Sequence, residues 1–254
     1  MKIAIITGAS SGMGREFVKR LAAIHSYDEI WVIARRRERL EELSGQVDAK
    51  IRAIPLDLTK SESFEELKNL LEAEKPEVKT LVNASGFGVF EKFENIPLSQ
   101  QLDMIDLNDK ALVAVTYIVL PYLKSGSEVY QIGSLSSFQP VPYIATYGAS
   151  KAFVLSFTRA VNAEYKKSGI KMMAVCPGWV KTAFFDTAVV DDSVITYYNQ
   201  FFTAAEVVTR AIKDMRRGKD VSVVGPMIRL QVFATKLLPH RLVMWIWKKQ
   251  QKKA

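Results

Sequence analysis

Apolar, largely β-branched runs recur along the chain at Ile3–Ile6, Ile30–Ile33, Ile51–Leu56, Thr80–Val82, Val129–Ile132, Met172–Val175 and Val221–Val224. They lack the polar alternation of a half-exposed strand, so they predict strands buried on both faces. Helical patterns lie between them. Arg15–Ile24 carries Phe17, Val18, Leu21 and Ile24, and Ser63–Leu71 carries Phe64, Leu67, Leu70 and Leu71, each as an apolar stripe. Long helices fit Leu98–Leu123 and Thr146–Lys167, and another begins near Ala204. This alternation predicts an α/β fold, one doubly wound parallel sheet of about seven strands with helices on both faces. No Gly/Ser-rich linker or internal repeat divides the chain, which favours a single domain. Ile3–Ile6 is too short for a signal peptide, and no run reaches the roughly 18 apolar residues of a membrane span. The chain therefore reads as soluble and cytoplasmic.

Composition changes this picture little. Of 254 residues, 48% are hydrophobic and 24% charged, as in an ordinary globular protein. The single cysteine, Cys176, excludes an intramolecular disulfide framework and a thiolate metal cluster. The net charge of +8 points to an anionic partner, but it is unevenly spread. Residues 205–254 hold twelve Lys/Arg and three Asp/Glu, while the first 204 hold 23 and 24. The body is nearly neutral, and the excess belongs to the last fifty residues. No nucleic-acid-binding motif accompanies it.

The first strand runs into Thr7-Gly8-Ala9-Ser10-Ser11-Gly12-Met13-Gly14 and then a helix. A pyrophosphate needs backbone N–H groups aimed at it and no Cβ in the way. Glycines at a strand-to-helix turn supply both, and the helix N-terminus adds the positive end of its dipole. Gly8, Ser10, Ser11, Gly12, Met13 and Gly14 are thus the phosphate-binding candidates. The second strand ends in Ala34-Arg35-Arg36-Arg37, with Arg35 lying 21 residues after Gly14. An NAD site usually places an acid here, whereas an arginine suits a 2′-phosphate by charge and by its fork of donors. The alternative is a solvated helix start, since Glu38, Glu41 and Glu42 follow. Arg35 is expected to meet the phosphate of NADP(H), with Arg36 as helper and Arg37 at the surface.

The fifth strand leads to Gly133-Ser134. Tyr147 follows thirteen residues after Ser134, and Lys151 one helical turn later. The i, i+4 spacing puts both on one helix face. An ammonium beside a phenol favours the phenolate, so the Tyr147 pKa is expected to fall from its usual value of about 10. That would make Tyr147 a general acid/base near neutral pH, with Ser134 placed to hydrogen-bond the reacting oxygen. Tyr-x-x-x-Lys decorates many helices. Its weight comes from lying at the same sheet edge as the glycine loop.

The ordered motifs Thr7–Gly14, Asp57 after the third strand, Asn83-Ala84-Ser85-Gly86 after the fourth, Asn108 in the long helix, Ser134, Tyr147-Gly148-Ala149-Ser150-Lys151 and Pro177-Gly178-Trp179-Val180-Lys181-Thr182 resemble the short-chain dehydrogenase/reductase family in its single-domain form. The resemblance covers residues 1–225. It implies a Rossmann fold and NADP(H)-dependent hydride transfer between a secondary alcohol and a ketone. Asp57 and Leu58 would hold the adenine, and Asn83, Ala84 and Gly86 would lie against the cofactor. Pro177, Gly178, Val180 and Thr182 would cradle the nicotinamide. Tyr147 would be the acid/base, Ser134 would position the carbonyl, and Lys151 would bind the nicotinamide ribose and tune Tyr147. Asn108 would anchor a water in a proton relay. The chain departs from the family's Asn-Asn-Ala-Gly at Ala84 and Ser85, leaving backbone contacts there. The family further implies a homodimer or homotetramer packed through the outer faces of the two long helices.

Phe184, Phe185, Tyr197, Tyr198, Phe201 and Phe202 lie where the family forms a substrate lid, residues 183–203. Phe184 and Phe185, with Phe138 and Tyr143 near Ser134, predict a large apolar pocket for a bulky lipophilic ketone such as a steroid. Phe201 and Phe202 are expected to pack on the core. A 3-oxoacyl thioester is the runner-up substrate. A non-catalytic NADP(H)-binding regulatory protein is the alternative from another class, disfavoured by the complete set Asn108, Ser134, Tyr147 and Lys151. Residues 226–254 form a basic amphipathic extension with seven cations and no acid, readable as two short helices split by Pro239. It covers the pocket, packs on another subunit or lies on an anionic membrane. Packing is the favoured reading. His25 and His240 have no ligand or catalytic partner at a suitable spacing, Cys176 reads as a small buried hydrophobe, and no metal site is expected.

Overall fold

A computed structural model of the chain describes residues 1–189 and 195–251. The order is β1 (Lys2–Thr7), α1 (Gly12–Ile24), β2 (Glu29–Ala34), α2 (Arg37–Glu41), β3 (Ile51–Pro55), α3 (Ser61–Glu74), β4 (Glu77–Asn83), α4 (Leu98–Ile105), α5 (Ala111–Val119), β5 (Leu123–Ile132), α6 (Ala145–Tyr165), β6 (Lys171–Val175), β7 (Trp179–Lys181), α7 (Phe185–Ala188), β8 (Phe201–Thr203), α8 (Ala204–Arg216), β9 (Val221–Ser222), α9 (Pro226–Leu237) and α10 (His240–Gln250). Seven strands form a parallel sheet in the order β3-β2-β1-β4-β5-β6-β9, the doubly wound architecture that the apolar runs predict.

The absence of polar alternation has a direct cause. Successive strand side chains point to opposite faces, and here both faces are covered. Ala4 and Ile6 of β1 join a core with Phe17, Val18 and Leu21 of α1 and Val208, Ala211 and Met215 of α8. Ile3 and Ile5 join a second core with Leu67 and Leu71 of α3 and Val115 and Val119 of α5. Each such Val, Leu, Ile, Phe or Met side chain contributes about 1.5–3 kcal/mol by leaving water.

Three elements differ from expectation. The helix expected over Leu98–Leu123 runs without a gap from Leu98 to Val119 but is not a regular α-helix. A π-helical turn at Asp106–Lys110 separates α4 from α5, and a 3-10 turn with Pro121 ends the run before β5 begins at Leu123. Pro121 has no N–H to continue the helical bonding. Of Val221–Val224 only Val221 and Ser222 pair, with Ala174 and Val175. Finally, β7 and β8 form a small parallel sheet of their own, and at three residues each they are too short to show a period. The tail does form two helices parted at Pro239.

Candidate active site

The parallel strands bring their C-terminal ends to one edge, and the winding reverses between β1 and β4, leaving a crevice. A cavity of about 1250 Å³ runs along this edge. One end is floored by the β1–α1 turn, where Gly8 and Ser10 to Gly14 line it. Gly8 has φ 65°, and a Cβ on it would stand 2.6 Å from the Ala84 carbonyl. Only glycine fits between the two loops. Thr7 Oγ1 ties them together, accepting from Ala84 N at 3.1 Å and Ser85 N at 3.2 Å. These bonds use only the backbone N–H groups of Ala84 and Ser85 and do not depend on the side chains there.

Arg35, Arg36, Asp57 and Leu58 line the same end. Asp57 accepts from Thr59 N at 3.1 Å and Thr59 Oγ1 at 2.8 Å. Burial pushes its pKa up, but these bonds and the Arg35 charge outweigh burial and hold it below the usual value. Backbone donors at the glycine turn and guanidinium groups after β2 together suit a dinucleotide with a 2′-phosphate. Ala84, Gly86, Pro177, Gly178, Val180 and Thr182 continue the wall. Asn83 does not reach the cavity, contrary to expectation. Its Nδ2 donates to Thr116 Oγ1 at 3.0 Å and Gln131 Oε1 at 2.9 Å, so the side chain braces β4 against α5 and β5.

Ser134, at the end of β5, and Tyr147 and Lys151, in the first turns of α6, line the middle of the cavity. Lys151 Nζ lies 5.7 Å from the Tyr147 ring centre and donates to the Ile132 carbonyl at 3.0 Å. Burial dominates both titrations. It pushes Tyr147 up to about 12 against the opposing hydrogen bond with Ser134, and Lys151 down to about 8 against the attraction of Asp109. The expected lowering of the Tyr147 pKa therefore does not arise among these residues, because stripping water from the phenolate outweighs the hydrogen bond with Ser134. Asn108 stands behind the wall rather than on it. It sits in the π turn, accepts from Phe87 N at 3.0 Å, and donates to Phe87 O at 2.9 Å and Ser150 Oγ at 3.1 Å. It clamps the loop after β4 to the helix that carries Lys151.

The far end is aromatic. Phe184 and Phe185 line it, joined by Phe87, Phe90, Trp179 and Trp247, none of which the sequence singles out for this pocket. Phe90 meets the Tyr147 ring edge-on at 5.9 Å. Phe138 and Tyr143 do not line the cavity. Phe138 packs on the core under the Lys236 ammonium, and Tyr143, held at φ 70°, packs behind the pocket. Of the pair expected in the core, Phe202 is buried, whereas Phe201 is part-exposed and meets the rings of Phe185 and Tyr198 at a tilt. Part of the expected lid, residues 190–194, and the last three residues of the tail lie outside the described residues.

The tail covers the pocket. Val243, Ile246 and Trp247 of α10 and Leu238 line the cavity, and Trp247 Nε1 donates to the Pro142 carbonyl at 3.1 Å. Gln251, fully buried, clasps the segment before β8: its Oε1 accepts from Thr196 N at 2.8 Å and Tyr197 N at 2.9 Å. Cys176 is buried, and burial pushes its thiol up to about 12. Among the described residues no cluster could hold a metal ion, and no helix is long and apolar enough to cross a membrane.

A protein-family profile described as short chain dehydrogenase matches residues 2–192. Sulfoacetaldehyde reductase 2 of Chromohalobacter salexigens is 35% identical over 191 residues, 72% of this chain and 74% of that protein. The very-long-chain 3-oxoacyl-CoA reductase of Anas platyrhynchos is 32% identical over 190 residues, 70% of this chain and 60% of that one. Among solved structures, the short-chain dehydrogenase of Sphingobium yanoikuyae, in complex with NADPH, shares the fold with a TM-score of 0.79 at 24% identity, over 93% of this chain and 94% of that one.

Proposed function

The chain belongs to the short-chain dehydrogenase family and is an oxidoreductase, and on that premise we propose that it uses NADP(H) to interconvert a secondary alcohol and a bulky, lipophilic ketone. The observation that carries the reading is one cavity that joins the Gly8–Gly14 turn and Arg35 at one end, Ser134, Tyr147 and Lys151 at its middle, and an aromatic chamber at the other. The nicotinamide, when bound, supplies or accepts the hydride. The side chains do the rest. The Ser134 and Tyr147 hydroxyls donate hydrogen bonds to the carbonyl oxygen as it gains negative charge. Tyr147 gives up its proton in reduction, and burial keeps the phenol protonated for that role at neutral pH. Lys151 stabilises the phenolate left behind, while Asn108 holds the walls on either side. Residues 1–225 act as the catalytic domain, and 226–254 complete its pocket rather than forming a separate unit.

The lining favours bulk and low polarity. Among the described residues at the aromatic end there is no Lys or Arg to meet a sulfonate, so a small anionic aldehyde matches this chamber poorly. A 3-oxoacyl thioester is the second reading, favoured by the 32% identical reductase that acts on very-long-chain 3-oxoacyl-CoA. Exposed Leu102 and Ile105 on α4 and Phe153 on α6 support a homo-oligomer formed through these helices. The test is a substrate panel of steroid ketones, 3-oxoacyl thioesters and small polar aldehydes, followed by NADPH oxidation. Turnover of the first two classes is expected. Tyr147→Phe should abolish it while leaving NADPH binding intact. Turnover confined to polar aldehydes or sugars overturns the substrate reading, a preference for NADH overturns the role of Arg35, and NADPH binding without any turnover leaves a regulatory protein.

A further inference from the structure

The tail has two faces, and the pocket uses only one. On α9, Ile228, Val232 and Thr235 are buried. Met227, Leu230, Phe233 and Leu237 follow one another at three- and four-residue steps on another side, and with Trp245 of α10 they are between 53% and 69% exposed. On α10, Val243 and Trp247 turn inward to the cavity, while Leu242, Trp245 and Ile246 are exposed. Each of the two consecutive helices thus carries an exposed apolar face of several large side chains, more than single scattered residues. Arg229, Lys236, Arg241, Lys248 and Lys249 flank it, and none of them has a carboxylate partner among the described residues. The Lys249 ammonium sits 5.0 Å above the Trp245 ring.

We propose that this face of α9 and α10 docks on an anionic lipid bilayer. Large apolar residues with tryptophan on one face and cations beside them are what holds a helix in a membrane interface, and neither signal alone is strong. Charge decides against a second copy of this chain as occupant. A two-fold pairing would set the same cations against one another, with no acid in residues 226–254 to offset them. Phosphate or serine headgroups complement them instead. The patch also adjoins the cavity. Leu238 and Ile246 line the cavity and are part-exposed, as is Tyr197, so docking sets the mouth against the lipid. Entry of a lipophilic ketone from the bilayer through that mouth rests on the proposed function, whereas the docking rests on the surface alone.

Co-sedimentation of the full chain with vesicles of phosphatidylcholine, with and without added phosphatidylserine, tests the docking. Binding is expected only with phosphatidylserine and weakens as salt is raised. Phe233→Glu/Leu237→Glu/Trp245→Glu, at positions outside the cavity lining, should weaken binding by about tenfold or more. Its turnover of a water-soluble ketone should stay unchanged. Arg229→Glu/Arg241→Glu, which alters no apolar group, should weaken binding likewise and covers the case in which the first variant fails to fold. No gain from phosphatidylserine, unchanged binding in both variants, or a fall in molecular mass with unchanged vesicle binding overturns the proposal. The last result would mark the face as a contact between copies. Vesicle binding without any ketone turnover would sink the enzymatic reading and leave the docking standing.

Discussion

At Tyr147 and Lys151 the same loss of water pulls two groups in opposite chemical directions. The phenol becomes a weaker acid, at about 12, and the ammonium a stronger one, at about 8. Lys151 is charged below that value and neutral above it. The rate of ketone reduction should therefore fall as pH rises through about 8, because the phenolate left by proton transfer loses its cation. A kcat/KM profile over neutral to alkaline pH checks this, and a flat profile contradicts it. Lys151→Arg, which stays protonated, should remove the alkaline fall even at a lower rate. Asn83 makes the opposite case. It belongs to a cofactor motif, yet its amide is spent on Thr116 and Gln131. Asn83→Ala should destabilise the fold by about 1–3 kcal/mol, the cost of leaving buried polar partners unpaired. NADPH affinity should be nearly untouched. Urea denaturation beside a binding titration separates the two effects. The identities of the chemical residues were legible at this scale. Their protonation was not, because spacing reports proximity along a helix and says nothing of the water excluded around it.

Elements gain their function where they depart from regularity. A regular α-helix over Leu98–Leu123 would give Asn108 a different direction. The π turn instead points it at Phe87 and Ser150, and such turns often mark functional positions. The extra residue in that turn leaves the apolar period nearly intact, so a pattern reading passes over it. The end of α10 works differently. Gln251 satisfies the backbone N–H groups of Thr196 and Tyr197 and donates to the Tyr197 carbonyl at 3.4 Å. Gln251→Ala leaves those donors unpaired. Amides of α10 should then exchange with solvent faster, while those of β1 and β4 in the central sheet keep their protection. Uniform loss of protection would instead make Gln251 part of the global fold.

Over the whole molecule, the tail closes a chamber that the sheet edge only begins. Deleting residues 239–254 removes Val243, Ile246 and Trp247 from the lining and uncovers Trp179, which stacks on Trp247 at 6.5 Å. KM for a bulky ketone should rise on the order of tenfold. NADPH binding, at the far end of the cavity, should persist. Equal loss of both would show that the tail supports the entire fold. The alternation of strands and helices, the glycine turn, Arg35 and the Tyr147–Lys151 spacing could all be read from the residues, because each rests on interactions within a few positions of the chain. The faces of the tail could not. Both helices are apolar on more than one side, and the side that turns inward depends on Trp247 meeting Pro142, 105 residues away. Likewise, Phe138 and Tyr143 are aromatic and close to Ser134 in the chain, but packing around them turns them away from the cavity. Local pattern determined the sheet and the chemistry at its edge. Long-range burial decided which side chains the cavity can use, and in what state of charge.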